Sequence, residues 1–442
     1  MKGLYAILTW AMRLLVGATF IFSGFVKAID PWGTLYKFED YMGAMHLPVF
    51  RNILLVGVFA LCAYEFTIGV FLMLGCFRRS APILAAAMMA VMLPLTLWIA
   101  IADPVADCGC FGDALVISNW ATFWKNVVLV LAIVWLIKFN TRRRCLITPS
   151  LQWIALLASV VFTVCIGFAG YVYQPLIDFR PYPVGTTLID HSDDNSQESD
   201  DNMLFVYERD GVEKSFSIDD ELPDESEGWT FVRRESAPSR PSATKSATTD
   251  AKNDSERNFR IWDENGDEDI SESVVPDDGK QLIILMPDLK NVSMATTWNI
   301  NSLYTWATAN GIDMIGVVAG TRDDIENWKD ISLAAYPLYT ADDTAIKMVA
   351  RGNPAVIYLE DGKIRWKSTL RALDTEDFQK AGTKTDPKQF ARDNRTLLRN
   401  VAGLYLLIMA VLVLLSFIPD LRRCFPSVTR KKAKTTEDET QS

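Results

Sequence analysis

The sequence predicts an α-helical membrane bundle of six transmembrane helices joined to an α/β domain outside the cytoplasm. Three observations carry this. Six apolar segments are each about 20 residues long, enough to cross a hydrocarbon core of roughly 30 Å as helices. Lys2 and the basic clusters at 78–79, 142–144 and 422–432 fall on one side of these segments. Strand-like and helix-like patterns alternate between residues 281 and 364, as in a mainly parallel sheet with a closing hairpin.

The apolar segments are Leu4–Ala28, Asn52–Gly75, Ala81–Ala102, Trp120–Phe139, Leu151–Tyr173 and Leu398–Ile418. The first is too long and too polar-punctuated for a signal sequence, and no small-residue cleavage pattern follows it. Lys2, Arg78–Arg79, Arg142–Arg144 and the cluster from Arg422 to Lys432 share one side when the number of spans is even. Basic flanks mark the cytoplasmic face. Both termini are therefore expected in the cytoplasm, and residues 419–442 form a basic tail there. Loop 103–118 and segment 174–397 are expected in the periplasm, and the protein in the inner membrane, in contact with lipid. The net charge of −10 is concentrated in the outer segment. An acidic exterior argues against a nucleic-acid partner and suits solubility or a basic protein partner.

Seven cysteines divide by side. Cys76, Cys145 and Cys424 fall on the reducing side, and Cys62 and Cys165 lie inside spans, where they pack as small apolar groups. Cys108 and Cys110 alone face the oxidising side, in the loop Asp107-Cys108-Gly109-Cys110-Phe111-Gly112-Asp113. A Cys108–Cys110 disulfide across one residue is tight, and Gly109 removes the Cβ at the position that must bend most. Strained, exposed disulfides are the labile, oxidising ones. Three readings stay open: a redox couple, a static disulfide that shapes the loop, and a metal site. The chain has two histidines, His46 and His191, so the ligand set for a metal is poor and none is expected.

Charges inside the spans are costly and face the bundle interior. Arg13 lies nine residues into the first span and Glu65 ten residues from the cytoplasmic end of the second. At 1.5 Å per residue both are roughly 12–15 Å deep. An Arg13–Glu65 ion pair is expected, either as packing or as a polar site for a quinone head group or a proton path. Lys27, near the outer end of the first span, can snorkel to the interface. It can also stand near Asp103, Asp107 or the thiols, where a cation favours thiolate.

The outer segment begins β-rich over 176–280. A hairpin is expected from Met203–Glu208 and Lys214–Ile218 around Asp210-Gly211, then a strand at Trp229–Arg233 and a disordered loop over 236–256. The acidic run Asp263–Asp269 lacks the spacing of a calcium loop and reads as a turn. Over 281–380, strands at Gln281–Met286, Asp313–Val318 and Pro337–Thr340 alternate with helices at Ala295–Asn310, Asp323–Trp328 and Asp342–Ala350. The order ends in Gly352-Asn353-Pro354-Ala355 entering a strand and a Glu360-Asp361-Gly362-Lys363 turn. This resembles the thioredoxin-like fold, whose cis-proline maps onto Pro354. The family's Cys-x-x-Cys is missing, since residues 174–397 contain no cysteine. The resemblance therefore implies a domain that docks a partner and leaves exchange to other thiols.

The first four spans resemble the DoxX/MauE-like membrane family. The resemblance rests on Arg13, Gly17, Ser23-Gly24 and Lys27, on Glu65 and Gly69, and on Cys108-Gly109-Cys110-Phe111-Gly112. It implies a DoxX-like four-helix core over 1–140, with a fifth helix over 141–175 and a sixth over 398–418. The whole chain looks like a DoxX-type protein of Bacteroidetes with a thioredoxin-like domain fused outside. The MauE branch implies disulfide handling during maturation of a periplasmic dehydrogenase in methylamine utilisation, and the DoxX branch implies a quinone. The expected function is a periplasm-facing thiol–disulfide redox or maturation factor that uses Cys108 and Cys110 on a client protein. The alternative is a non-enzymatic assembly or anchoring factor with a structural disulfide.

Overall fold

The computed structural model describes residues 2–105, 108–139, 145–189, 203–209, 212–217, 230–236, 259–373 and 386–424. Leu-, Val- and Ala-rich runs form α1 (Lys2–Ile29), a short α2 (Pro31–Ala44), α3 (Arg51–Leu74), α4 (Ser80–Ala102), α5 (Asn119–Phe139) and α6 (Gln152–Val172). All except α2 belong to the set of six described helices long and apolar enough to cross a membrane; the sixth begins beyond residue 386. Leu14, Val91, Leu131, Leu157 and Leu407 stay exposed along the outside, an apolar face that lipid tails would cover.

Local chemistry sets the breaks. After Ile29 the chain turns at Asp30, whose carboxylate accepts from Gly33 N at 3.0 Å and caps α2, while Pro31 occupies its first position. Gly75, at φ 71°, ends α3 in the left-handed conformation.

Glycines fix how α1 meets α3. A Cβ on Gly24 would lie 2.5 Å from Phe66 N, one on Gly17 3.0 Å from Gly69 O, and one on Gly69 2.6 Å from Ile21 N. Small residues here let two backbones touch and lock one register.

The sheet domain follows. Strands β1 (Met203–Arg209), β2 (Val212–Ser217) and β3 (Thr230–Ser236) form an antiparallel sheet of order β2-β1-β3. Apart from Ser236, the expected disordered loop 236–256 lies outside the described residues. After a one-turn α7 (Ser271–Val274) come β4 (Lys280–Met286), α8 (Thr297–Ala309), β5 (Asp313–Val318), α9 (Arg322–Ser332), β6 (Leu338–Thr340), α10 (Asp343–Val349), β7 (Ala355–Glu360) and β8 (Lys363–Thr369). The order is β6-β5-β4-β7-β8, with β4, β5 and β6 parallel and β7 antiparallel to both neighbours. Alternate β4 residues face two cores. Leu282 and Ile284 pack with α8 and α9, while Ile283 and Leu285 pack with α10. The Asn353–Pro354 peptide is cis. The last helix, α11 (Asn394–Cys424), returns along α6, where Tyr405 stacks on Phe162 and meets Ser159 at 3.0 Å.

Residue 281 is not a boundary within this domain. Tyr182, Leu188, Phe259, Ile261 and Val275 share a core with β4 and β7, and Leu188 N donates to Gly362 O at 3.1 Å. The onset of strand–helix alternation separated segments that the sheet joins through backbone bonds. The sheet domain is tied to the bundle where α6 ends. Thr369 N donates to Tyr173 O at 3.0 Å, and Lys367 Nζ donates to Asp178 Oδ2 at 3.0 Å and to Tyr182 O.

The glycine register is testable. Gly24→Ala drives a methyl into α3 backbone and is expected to cost about 1–3 kcal/mol, lowering the thermal midpoint in detergent. Gly57→Ala meets nothing within 4 Å and, because alanine favours a helix interior, should hold or raise that midpoint.

Candidate functional site: a buried ion pair beneath a thiol loop

Glu65 sits in the middle of α3 and is 3% exposed. Both of its oxygens accept from Lys27 Nζ at 2.8 Å. Ser23, one turn before Lys27 on the same face of α1, accepts from Lys27 Nζ at 2.9 Å. The Ser23 hydroxyl has two acceptors in reach, Glu65 Oε2 at 2.8 Å and the carbonyl of Cys110 at 2.7 Å. The ion pair is thus linked to the thiol loop through one serine.

The expected Arg13–Glu65 pair is corrected: Glu65 is taken by Lys27. Arg13 lies at the far end of α3, where a Cβ on Gly75 would be 2.3 Å from its guanidinium, and it covers the Trp10 ring at 5.3 Å. Depth counted from each helix end assumes flush ends. The glycine contacts instead set α3 so that Gly75 is level with Arg13, and Glu65 then falls level with Ser23. Lys27 does not snorkel; it is 5% exposed and points inward.

The thiol loop turns tightly. Gly109 and Gly112 have φ of 61° and 52°, and Gly112 N donates to Gly109 O at 3.1 Å. These left-handed positions suit glycine. Tyr41 of α2 donates to Cys108 O at 2.5 Å. Asn119 Nδ2 ties the loop's ends through Asp103 Oδ1 at 2.8 Å and Val105 O at 3.1 Å. Phe111 packs on Phe22 and carries Lys125 Nζ 4.1 Å from its ring centre. Asp107 lies outside the described residues.

Cys108 and Cys110 stand as two thiols with their sulfurs 3.0 Å apart, beyond the roughly 2.05 Å of a disulfide. Their environments differ. The hydrogen bond from Cys108 pulls the Cys110 thiol down, burial opposes this, and the charges of Lys125 and Lys27 add to the lowering. Cys108 is pushed up by the same shared hydrogen bond and by burial. Cys110 is the thiol suited to carry the negative charge, with Cys108 holding the proton. Beside both sulfurs lies a cavity of about 310 Å³ with Phe38, Leu61, Met92 and Leu95 as apolar walls and Lys27 and Tyr41 as polar groups.

Over the loop sits Arg351 of the sheet domain. Its Nη2 meets Asp113 Oδ2 at 2.5 Å and Asp30 Oδ2 at 2.8 Å. Nearby, Asn353 Nδ2 donates to Asp288 O at 2.7 Å, and Asp288 lies 3.8 Å from Arg51 of α3. Pro354 therefore follows a loop docked on the bundle. Sequence reasoning missed the roles of Ser23, Tyr41, Asp30, Asp113, Lys125 and Arg351. The four-residue spacing of Ser23 and Lys27 was a usable signal for the first. No local pattern links Arg351 to Asp113 across 238 residues.

Breaking a buried pair strands a charge, at about 3–5 kcal/mol. Lys27→Leu and Glu65→Leu are each expected to lose that much stability, and the double variant less than either. Thermal unfolding of the four proteins forms the cycle that measures it.

Residues 5–139 match the family model described as methylamine utilisation protein MauE. Residues 202–238 match a domain of unknown function, DUF8463. No curated protein and no solved structure matches the chain. Helices α1–α5, with the buried pair and the thiol loop, are thus the part that is similar to MauE, and they belong to a multi-pass membrane protein.

Proposed function

We propose that the chain is a membrane thiol–disulfide redox or maturation factor with Cys110 as the exchanging thiol and Cys108 as its resolving partner. The observation that carries this is the contact of two thiols 3.0 Å apart, Cys110 drawn down by the hydrogen bond from Cys108 and by the charges of Lys125 and Lys27, and Cys108 pushed up by the same hydrogen bond and by burial. In the oxidising direction, a client thiolate attacks Cys110 Sγ of the Cys108–Cys110 disulfide and Cys108 leaves as the thiolate. A second client thiolate then attacks the client sulfur of the mixed disulfide and expels Cys110. The client loses two electrons and two protons, and the pair gains them. A thiolate held low is the faster leaving group in that last step.

The cavity beside the sulfurs, about 310 Å³ with apolar walls, has room for a quinone head group, with Lys27 and Tyr41 at its edge. A quinone there would accept two electrons and two protons. The basic flanks support a thiol loop facing the periplasm. Strand order β6-β5-β4-β7-β8 and the cis bond before Pro354 support a thioredoxin-like sheet domain, which would dock the client.

Acid-quenched cells labelled with a thiol mass tag test the reading. Both states of the pair are expected, shifting toward dithiol when quinone is depleted. Cys108→Ser should trap a client on Cys110, and Cys110→Ser should not. A pair locked in one state with no trapped client favours the assembly factor with a structural disulfide.

A further inference from the structure

The strongest unabsorbed feature is the contact between the sheet domain and the thiol loop. Arg351 follows α10 and is 6% exposed. Its backbone is held from both sides by Gln174 just beyond α6: Arg351 N donates to Gln174 Oε1 at 3.0 Å, and Gln174 Nε2 donates to Arg351 O at 2.6 Å. Its side chain is equally fixed. Nη1 donates to Lys347 O at 2.8 Å, Nε donates to Asp30 Oδ2 at 2.9 Å, and the guanidinium lies 5.6 Å from the Tyr36 ring centre. Room for it depends on Gly33, where a Cβ would stand 2.8 Å from Nη2. Two carboxylates from separate elements, Asp30 before α2 and Asp113 three residues past Cys110, converge on this one cation.

The turn that carries the thiols is therefore gripped at both ends. Tyr41 of α2 holds the carbonyl of Cys108, and Arg351 holds the carboxylate of Asp113. Without the guanidinium, Asp30 and Asp113 lose the cation they share, and like charges repel. We infer that Arg351 is a positioning residue: the sheet domain acts on the thiol loop within its own chain, holding the turn closed over Cys108 and thereby setting access to the thiols. This goes beyond a docking role for the domain. It also holds whether or not the pair cycles, because access is read on the reduced protein.

The test uses full-length reduced protein in detergent, at one fixed pH, with maleimide as probe and peptide mass spectrometry as readout. Loss of a charged hydrogen bond at a buried site supports an expected rise of about tenfold in Cys108 labelling for Arg351→Ala. Asp113→Asn should give a similar rise, and the double variant no further one, since both remove the same contact. Arg351→Lys, which keeps a cation, should restore most of the protection. Cys62, buried in α3, reports general loosening and should stay unlabelled throughout. Unchanged Cys108 labelling in both single variants overturns the inference. So does a rise matched at Cys62, or rises that add in the double variant.

Discussion

The Lys27–Glu65 pair is the constraint on which the rest of the site depends. Two charges this deep in an apolar bundle are tolerated only together and with their remaining hydrogen-bonding capacity used. That requires α1 and α3 to lie backbone against backbone, which Gly17, Gly24 and Gly69 allow. The same register brings Ser23 onto Glu65 and leaves its hydroxyl within reach of Cys110 O. The thiol loop thus rests on the ion pair through a single side chain. Its position is inherited from helix packing rather than from its own short sequence.

The unequal thiols follow from that placement. Lys27 is brought near Cys110 because Glu65 holds it there, and Lys125 approaches from α5 over Phe111. Cys108 is pushed up first by the hydrogen bond it shares with Cys110 and then by burial in the apolar cluster of Ile99 and Leu95. A cysteine-free sheet domain above the loop contributes no thiol, but it contributes Arg351, and with it a second layer of control over the same turn.

Much of the architecture was legible in the chain. Continuous apolar runs of this length have the composition of spans, and the alternation of buried strands with capped helices points to a mixed sheet. The strand Asp313–Val318 falls where its pattern places it, and a place near the thiols was one of two open to Lys27. The partner of Glu65 was not legible, because depth counted from helix ends ignores the offset that glycine contacts impose. Arg13 consequently looked level with Glu65, though it is level with Gly75. The Arg351 bridge was beyond reach for a different reason. It joins residues far apart in the chain whose charges look like ordinary surface charges until the domains are packed.

The most direct measurement is the rate of Cys110 alkylation against pH in reduced full-length protein, compared with a Lys27→Gln/Glu65→Gln double variant that keeps hydrogen bonding but removes both charges. The expected midpoint for the native chain lies below the free-thiol value of about 8.5 and moves upward in the double variant. A native midpoint at or above that value, or one that the double variant leaves in place, would contradict the claim that the buried pair tunes the thiol loop.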